Sequence, residues 1–386
     1  MSDLPILRTS ERRDFKRCPT RWQWAWREGL KPNQQRSIPL WFGTIGHLAM
    51  QHWYIPGKKR GRDPRETFAE AIEDRVEVLK VEMLNGDSPE GSDVVAMEAG
   101  ELGEKIFTNY LDTYGEDPEW EIISPEETFA IIIPRPGTKD PIVQFSGTFD
   151  VVARNLETGK LWLWDHKFMK TISTSHLDKD DQAGGYFAVA PLVLAHKGLV
   201  PKNTPLAGVL YNFVMKSPPD ERPKNEHGLY TNKPKKEHFV AALREVYENN
   251  GLDVDDPIPG LGKTIEKATA AALEKVATEQ FGLTVLGDVS EKQPAKRLLR
   301  HPVERTRGEV KTQLERIGSE AVVMDLMRRG ELPLYKTPTK DCSWDCDFKD
   351  LCSLHERGGD IDEYIEVVFH QEDPYADHRR SEKEAD

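Results

Sequence analysis

Apolar residues recur at helical spacing through the first third of the chain. Ser10 can cap the first of these helices and Gly29 can end it. A later helix begins near Gly43 and carries His47. The expected helices cover 10–29, a segment from about 43, 64–80 and 90–114.

The middle of the chain changes to short β-branched and aromatic runs, which are typical of strands. Residues 155–159 provide a turn between two of these runs, and a helix over 177–196 precedes the last one. Strand, hairpin, helix and strand in this order predict an α/β fold, with helices on both sides of a mixed sheet. The expected strands cover 128–133, 142–153, 160–167 and 206–216.

The second half of the chain contains a segment of different composition. Residues 217–294 are rich in Pro, Lys, Glu and Asn, which indicates an insertion or side lobe, and a helix is expected over 304–329. We therefore expect one domain over 1–355 that includes the insertion, followed by an acidic tail over 356–386. From 370 onwards the tail is charged and poor in apolar residues, which predicts disorder.

The net charge of −13 argues at first against a nucleic-acid partner. About half of that charge lies in 356–386, where eleven acidic residues face four basic ones. Basic residues cluster in two other places, and either cluster could bind phosphate or form a solvated helix face. The two clusters are Arg12, Arg13, Lys16, Arg17, Arg21 and Arg27, and Lys292, Lys296, Arg297, Arg300, Arg305, Arg307 and Lys311.

The first residues do not combine a basic stretch with an apolar run. The chain also contains no uncharged apolar run of the roughly 18 residues that a membrane-spanning helix needs. We therefore expect a soluble cytoplasmic protein without a membrane partner.

Asp150, Asp165 and Lys167 are the strongest candidates for chemistry. Side chains two apart on a strand share a face, so Asp165 and Lys167 should point the same way, and the predicted hairpin brings Asp150 level with Asp165. Burying this much charge is costly unless a divalent cation such as Mg²⁺ binds the carboxylates. The alternative is a surface hairpin with an ordinary ion pair.

Three further residues are candidates for the same site. Gln182 and Tyr186 are four apart on a predicted helix, so they share a face that could meet a nucleic-acid strand. His47 follows small residues that would let its helix approach the sheet, and a neutral imidazole can bind metal. Tyr186 could instead be ordinary core, and His47 a hydrogen-bonded structural residue.

The order of these residues resembles the RecB-type branch of the PD-(D/E)XK nuclease superfamily. The resemblance rests on His47, Gly147-x-x-Asp150, Asp165-x-Lys167 and Gln182-x-x-x-Tyr186. It implies a restriction-endonuclease-like core with helical decoration. By the same resemblance, His47, Asp150 and Asp165 bind Mg²⁺ or Mn²⁺, Lys167 is the catalytic lysine, and Gln182 and Tyr186 position the substrate. Phe168 departs from the family, which often has Thr after the lysine.

Four cysteines form a second candidate site, with Cys18 far in sequence from Cys342, Cys346 and Cys352. Four thiolates suit either tetrahedral zinc or a 4Fe-4S cluster, and the cysteines could also bind nothing. One remote cysteine with a C-terminal trio resembles the iron-sulfur staple of CRISPR-associated and AddB-type nucleases. That resemblance implies a 4Fe-4S cluster, although the first gap in the trio is longer here than in those families.

The resemblance implies an exonuclease that acts on single-stranded DNA or DNA ends in recombination, repair or nucleic-acid processing. Stand-alone bacteriophage nucleases are the most similar group, and the chain has no Walker motif, so a helicase or recombination protein would be a separate partner. Two alternatives stay open: an inactive nuclease-fold DNA-binding or assembly factor, and a zinc-stapled interaction protein.

Overall fold

A computed structural model describes residues 4–33 and 41–376. The chain divides into a larger unit, formed by Met1–Pro218 and Arg297–Asp386, and a smaller unit, Pro219–Lys296. The smaller unit covers nearly the same residues as the side lobe predicted over 217–294. No described helix is both long enough and apolar enough to cross a membrane.

The described elements alternate between helices and strands. The helices are α1 (Thr9–Arg17), α2 (Pro19–Trp22), α3 (Trp41–Trp53), α4 (Pro64–Asn85), α5 (Ser92–Tyr114), α6 (Asp181–His196), α7 (Lys236–Asn249), α8 (Ala270–Lys275), α9 (Arg307–Arg328), α10 (Lys349–Glu356) and α11 (Ile361–Val368). The strands are β1 (Ile6–Leu7), β2 (Leu30–Pro32), β3 (Trp120–Pro134), β4 (Pro141–Asn155), β5 (Leu161–Met169), β6 (Leu206–Met215), β7 (Leu298–Glu304) and β8 (Phe369–Gln371).

A mixed sheet of six described strands forms the centre of the larger unit. β3 runs antiparallel along the whole of β4, while β1 and β5 pair with separate parts of β4. β5 and β6 are parallel and are connected through α6, and β7 is antiparallel to β6. The predicted mixed sheet is therefore confirmed, with β7 as a strand that the sequence pattern did not predict.

The β4–β5 hairpin is fixed by its turn. The Asn155 side-chain oxygen accepts hydrogen bonds from the backbone N–H and hydroxyl of Thr158, both at 2.9 Å. Gly159 follows with φ 69°, a left-handed conformation that glycine adopts without steric cost. This turn sets the register in which Arg154 pairs with Leu161 and Val151 pairs with Trp164.

Helices cover both faces of the sheet, as the α/β pattern predicts. On one face, Phe187 of α6 and Met324 of α9 pack with Leu163 of β5 in the same apolar core. On the other face, helices α3, α4 and α5 contribute to a second core that includes Phe68 and Phe107. The sheet is thus held between two apolar layers, and α3 is on the second side.

The helix predicted over 10–29 is instead divided into α1, α2 and a π-helical turn at Gln23–Arg27. The backbone is extended at Cys18, with φ −164° and ψ 114°, because the ring of Pro19 disfavours helical backbone in the residue before it. α1 also begins at Thr9, before the expected Ser10 cap. The break leaves Cys18 between two helices.

Residues 369–376 pack against the N-terminal part of the chain. β8 pairs antiparallel with β2, and Phe369 belongs to a small core with Trp24 and Phe348. Tyr375 then packs on Trp26, with ring centres 5.7 Å apart. The disorder expected from 370 therefore does not apply to 370–376, because these residues pack against the N-terminal segment; the rest of that prediction, 377–386, lies outside the described residues.

The smaller unit contains α7, α8 and a compact apolar core of its own. Phe239, Leu243 and Tyr247 of α7 pack with Leu273 of α8 and with Ile258 from the intervening segment. This core explains why the insertion forms a compact unit despite its polar composition.

Candidate active site

Asp165 and Lys167 form a close ion pair on one face of β5. The Lys167 Nζ atom lies 2.9 Å from Oδ1 and 2.8 Å from Oδ2 of Asp165. Both side chains are largely buried, with 12% of the Asp165 side chain and 28% of the Lys167 side chain exposed. The strand alternation therefore brings these two groups together as the sequence pattern predicts.

Asp150 lies on β4 where the β4–β5 ladder ends. The last paired residues are Val151 and Trp164, and beyond them the Asp150 carboxylate accepts a hydrogen bond of 2.7 Å from the His166 N–H. Phe149 packs in the core on one face of the sheet and Val151 in the core on the other, so the regular alternation is interrupted at Asp150. The carboxylate thus occupies the gap that opens between the two strands.

The two aspartates share a small pocket. Asp150 and Asp165 line it together with Ala183 and Tyr186 of α6. The β4–β5 register places the two aspartates level with each other, as the predicted hairpin requires. Both carboxylates therefore line one pocket between interior strands of the sheet, and the ammonium of Lys167 contacts one of them, Asp165.

His47 reaches the same region from α3. Its Nδ1 atom lies 3.5 Å from Oδ2 of Asp150. A Cβ atom on Gly46 would lie 2.6 Å from Cζ of the Phe168 ring, so the absence of a side chain lets α3 approach β5. Sequence reasoning proposed this close approach, and the geometry agrees with it.

Glu126 also reaches this site, although it was not among the residues predicted from the sequence. The β3–β4 register places it level with Asp150, and its Oε1 atom lies 4.0 Å from Nδ1 of His47. Ligand atoms of Glu126, His47 and Asp150 all lie within 4.8 Å of one another. Glu126 has φ 43°, an uncommon conformation for a residue with a side chain, and such conformations cluster at functional sites.

Two carboxylates of the site, Glu126 and Asp165, have raised pKa values. Burial and the nearby Asp150 charge raise the pKa of Glu126 to about 8. Burial also raises the pKa of Asp165 to about 7, against the opposing effect of Lys167. For Lys167, burial lowers the pKa, but the Asp165 and Asp150 carboxylates more than offset it, so the net shift is upward.

This donor set fits a hard divalent cation. Carboxylate oxygens are the ligands that Mg²⁺ prefers, and one imidazole beside them is compatible with Mn²⁺. A cation bound beside Glu126 and Asp165 would favour their charged forms and so oppose the effect of burial on their pKa values. The described residues therefore fit a divalent cation, with Glu126 in the place that the sequence prediction gave to Asp165.

The predicted substrate pair, Gln182 and Tyr186, lies on the first turns of α6. The Gln182 N–H donates to the Asp180 carboxylate, which caps the helix. The Tyr186 ring packs edge-on against Phe129, with ring centres 5.3 Å apart, and the residue also lines the aspartate pocket. Tyr186 is thus both a packing residue and a neighbour of the candidate chemistry.

The four cysteines converge at one end of the larger unit. Arg17, beside Cys18, forms an ion pair of 2.7 Å with Asp345, which lies between Cys342 and Cys346. Cys18 and Cys352 are close enough for their charges to interact, and so are Cys342 and Cys346.

Among the described residues, no three of these cysteines have sulfur atoms that all lie within 4.8 Å of one another. Four thiolates in this region suit either tetrahedral zinc or a 4Fe-4S cluster.

Several residues of the two predicted basic clusters have internal partners. The fully buried Arg12 side chain binds Asp181 and Glu320 at 3.0 and 2.6 Å. Arg300 forms two hydrogen bonds with the buried Asp117 carboxylate, at 2.5 and 2.8 Å. These two arginines therefore form internal ion pairs, a role that neither interpretation of the clusters predicted.

The family model of the PD-(D/E)XK nuclease superfamily matches residues 9–353, nearly the whole chain. The chain belongs to the PD-(D/E)XK nuclease superfamily. Members of this superfamily are generally nucleases, so the family supports a nucleic-acid substrate and hydrolysis with a divalent cation. None of the curated proteins compared with the chain matches it.

Proposed function

We propose that the chain is a divalent-metal-dependent deoxyribonuclease whose chemistry is carried by Asp150, Asp165 and Lys167. The observation that carries this proposal is the convergence of the two aspartates on one pocket, with the Lys167 ammonium 2.8 Å from Asp165. The match to the nuclease superfamily supports it independently.

His47, Asp150 and Asp165 would hold Mg²⁺ or Mn²⁺. Glu126, whose ligand atoms lie within 4.8 Å of those of His47 and Asp150, would join them as a further ligand or as the acceptor that orients His47. The bound cation supplies two things: it neutralises negative charge on the phosphoryl oxygens and makes water a better nucleophile. The N–H of His166 fixes the Asp150 carboxylate, so its orientation does not depend on the substrate.

Lys167 places a positive charge next to the phosphate that is cleaved. Because its pKa is raised, the side chain stays an ammonium at neutral pH and does not act as a base. Its contribution is electrostatic stabilisation of the transition state and orientation of the attacking water. Gln182 and Tyr186 position the substrate strand from α6.

Cys18, Cys342, Cys346 and Cys352 hold a 4Fe-4S cluster in this account. The sequence resemblance to iron-sulfur nucleases, with one remote cysteine and a C-terminal trio, supports a cubane over zinc. The cluster joins the break between α1 and α2 to the segment that includes α10. Its role is to close the fold, not to transfer electrons.

The enzyme degrades single-stranded DNA or DNA ends as an exonuclease, in recombination, repair or nucleic-acid processing. It is a relative of the stand-alone bacteriophage nucleases, and a separate helicase or recombination protein would supply strand separation. An inactive DNA-binding or assembly factor is disfavoured because all the charged positions are present. A zinc-stapled interaction protein without a nucleic-acid substrate is disfavoured by the match to the nuclease superfamily.

Digestion of end-labelled single-stranded and double-stranded DNA, with Mg²⁺, Mn²⁺ or chelator, tests this function. We expect stepwise loss of the label in the presence of either cation and no digestion with chelator. Labels at the 5′ and 3′ ends report the polarity. An intact substrate under every condition would contradict the proposal, and internal cuts without end degradation would replace the exonuclease assignment.

A further inference from the structure

Two lysines lie side by side where β5 and β6 end. Met169 is level with Met215 on these parallel strands, and the Lys216 N–H donates to the Met169 carbonyl at 2.8 Å. The residues that follow the two strands are Lys170 and Lys216, and neighbouring strands are about 4.8 Å apart. Burial and the charge of Lys170 both lower the pKa of Lys216.

No carboxylate in the described part of the chain neutralises the charge of either lysine through an ion pair. No ion pair in the described part of the chain includes Lys170 or Lys216. The Lys216 Nζ atom lies over the Phe42 ring, 5.9 Å from its centre, which is a weakly favourable contact. Adjacent like charges are destabilising. Two such charges, one of them half-buried, therefore favour an anion as ligand.

The pair lies close to the candidate active site on the same structural elements. Lys170 follows Lys167 by three residues, which is about 10 Å along a strand. Phe42 precedes His47 by five residues on α3, which is about 7.5 Å along a helix. A nucleic-acid strand that leaves the aspartate pocket carries a charged phosphate for roughly every 3.4 Å of helix axis. A phosphate within three nucleotides of the cleaved one thus lies about 10 Å away, as far as Lys170 lies from Lys167 along the strand.

We propose that Lys170 and Lys216 bind a backbone phosphate of the nucleic-acid strand within three nucleotides of the cleavage position. The subsite rests on the proposed nuclease function and adds a second contact to the same strand. Lysine binds phosphate as a point charge, which suits a contact that must accept any base sequence. The subsite would hold the strand in place as its end is shortened.

Binding of a fluorescein-labelled single-stranded oligonucleotide, measured in chelator at several salt concentrations, tests the subsite without cleavage. For the double variant Lys170→Met and Lys216→Met, the slope of log K against log salt should fall by about 0.7, the value for one lost phosphate contact on a single strand. The corresponding Lys→Arg double variant should keep the slope. Lys105→Met, an exposed change on α5, should leave binding unchanged.

Neutral methylphosphonate linkages, moved one position at a time along the oligonucleotide, test the same contact on the unmodified protein. We expect one sensitive position within three nucleotides of the cut, and no sensitivity there in the double Met variant. An unchanged salt slope in that variant, or a uniform response of the wild type, would overturn the subsite. The nuclease proposal would survive if Lys167→Ala still abolished cleavage. Wild-type protein that neither binds nor cleaves DNA would overturn both.

Discussion

The carboxylate of Asp150 accepts a hydrogen bond of 2.7 Å from the backbone N–H of His166, two residues beyond Trp164, the last paired residue of β5 in the β4–β5 ladder. At this position a hydrogen bond from backbone to side chain takes the place of a backbone–backbone hydrogen bond between the two strands. It holds Asp150 in the gap between the strands, within reach of His47 on one side and of Asp165 and Lys167 on the other.

Gly46 should be required for the position of α3, because an added Cβ would lie 2.6 Å from the Phe168 ring. Gly46→Ala should lower the free energy of unfolding by about 1–3 kcal/mol through overpacking and should weaken metal binding by displacing His47. Gly43→Ala is the matched control on the same helix, since no atom lies within 4 Å of its added Cβ. Urea unfolding of both variants measures the difference, and equal stabilities would contradict the packing account.

Glu126 should contribute to metal affinity. Glu126→Gln removes one of the charges that converge on the site and should weaken Mn²⁺ binding by about tenfold or more. Glu121→Gln is the control on the same strand, because Glu121 pairs with Arg154 and not with the site. Isothermal titration with Mn²⁺ checks both variants. If Glu126→Gln binds Mn²⁺ like the wild type, Glu126 is not part of the metal site.

Stability of the metal-free protein should depend on pH in a defined direction. Because Asp165 and Glu126 have pKa values raised to about 7 and about 8, the folded state binds protons more tightly than the unfolded state. Their contribution is therefore fully present below about pH 4 and is lost as pH rises to about 8. The melting temperature in chelator should fall over this range, and the increase caused by Mn²⁺ should be larger at the alkaline end. An Mn²⁺ effect independent of pH would contradict this linkage.

The cysteine cluster should stabilise the fold. Cys346→Ala should lose iron, visible absorption and solubility, because a metal site that forms only in the folded state contributes its binding free energy to folding. Ser343→Ala, an exposed change in the same segment, serves as the control. Iron content and absorption spectra of protein purified without oxygen check the prediction. A stable and fully active Cys346→Ala variant would count against a structural cluster.

The parts of the candidate site that depend on strand alternation and on a short turn could be predicted from the sequence. The two-residue alternation placed Asp165 and Lys167 on one face, and the Asn155–Gly159 turn placed Asp150 level with Asp165. Glu126 was missed because only the long-range register of β3 brings it to Asp150.

Other features also depended on distant partners. Arg300 was interpreted as a possible surface residue, although its partner Asp117 is 183 residues away in sequence. β7 was not predicted because its residues are mostly half-exposed and alternate only weakly between polar and apolar. The break at Cys18 could have been predicted, since Pro19 follows it directly.

Cleavage of an end-labelled single strand by Lys167→Ala, in Mg²⁺ and in Mn²⁺, tests the proposed catalytic site most directly. Lys160→Ala is the matched control, because it lies beside the other end of β5 and has an exposed side chain. We expect Lys167→Ala to abolish cleavage while its DNA binding and iron content stay near wild type. Lys160→Ala should cleave normally. Undiminished cleavage by Lys167→Ala would contradict the assignment of this site.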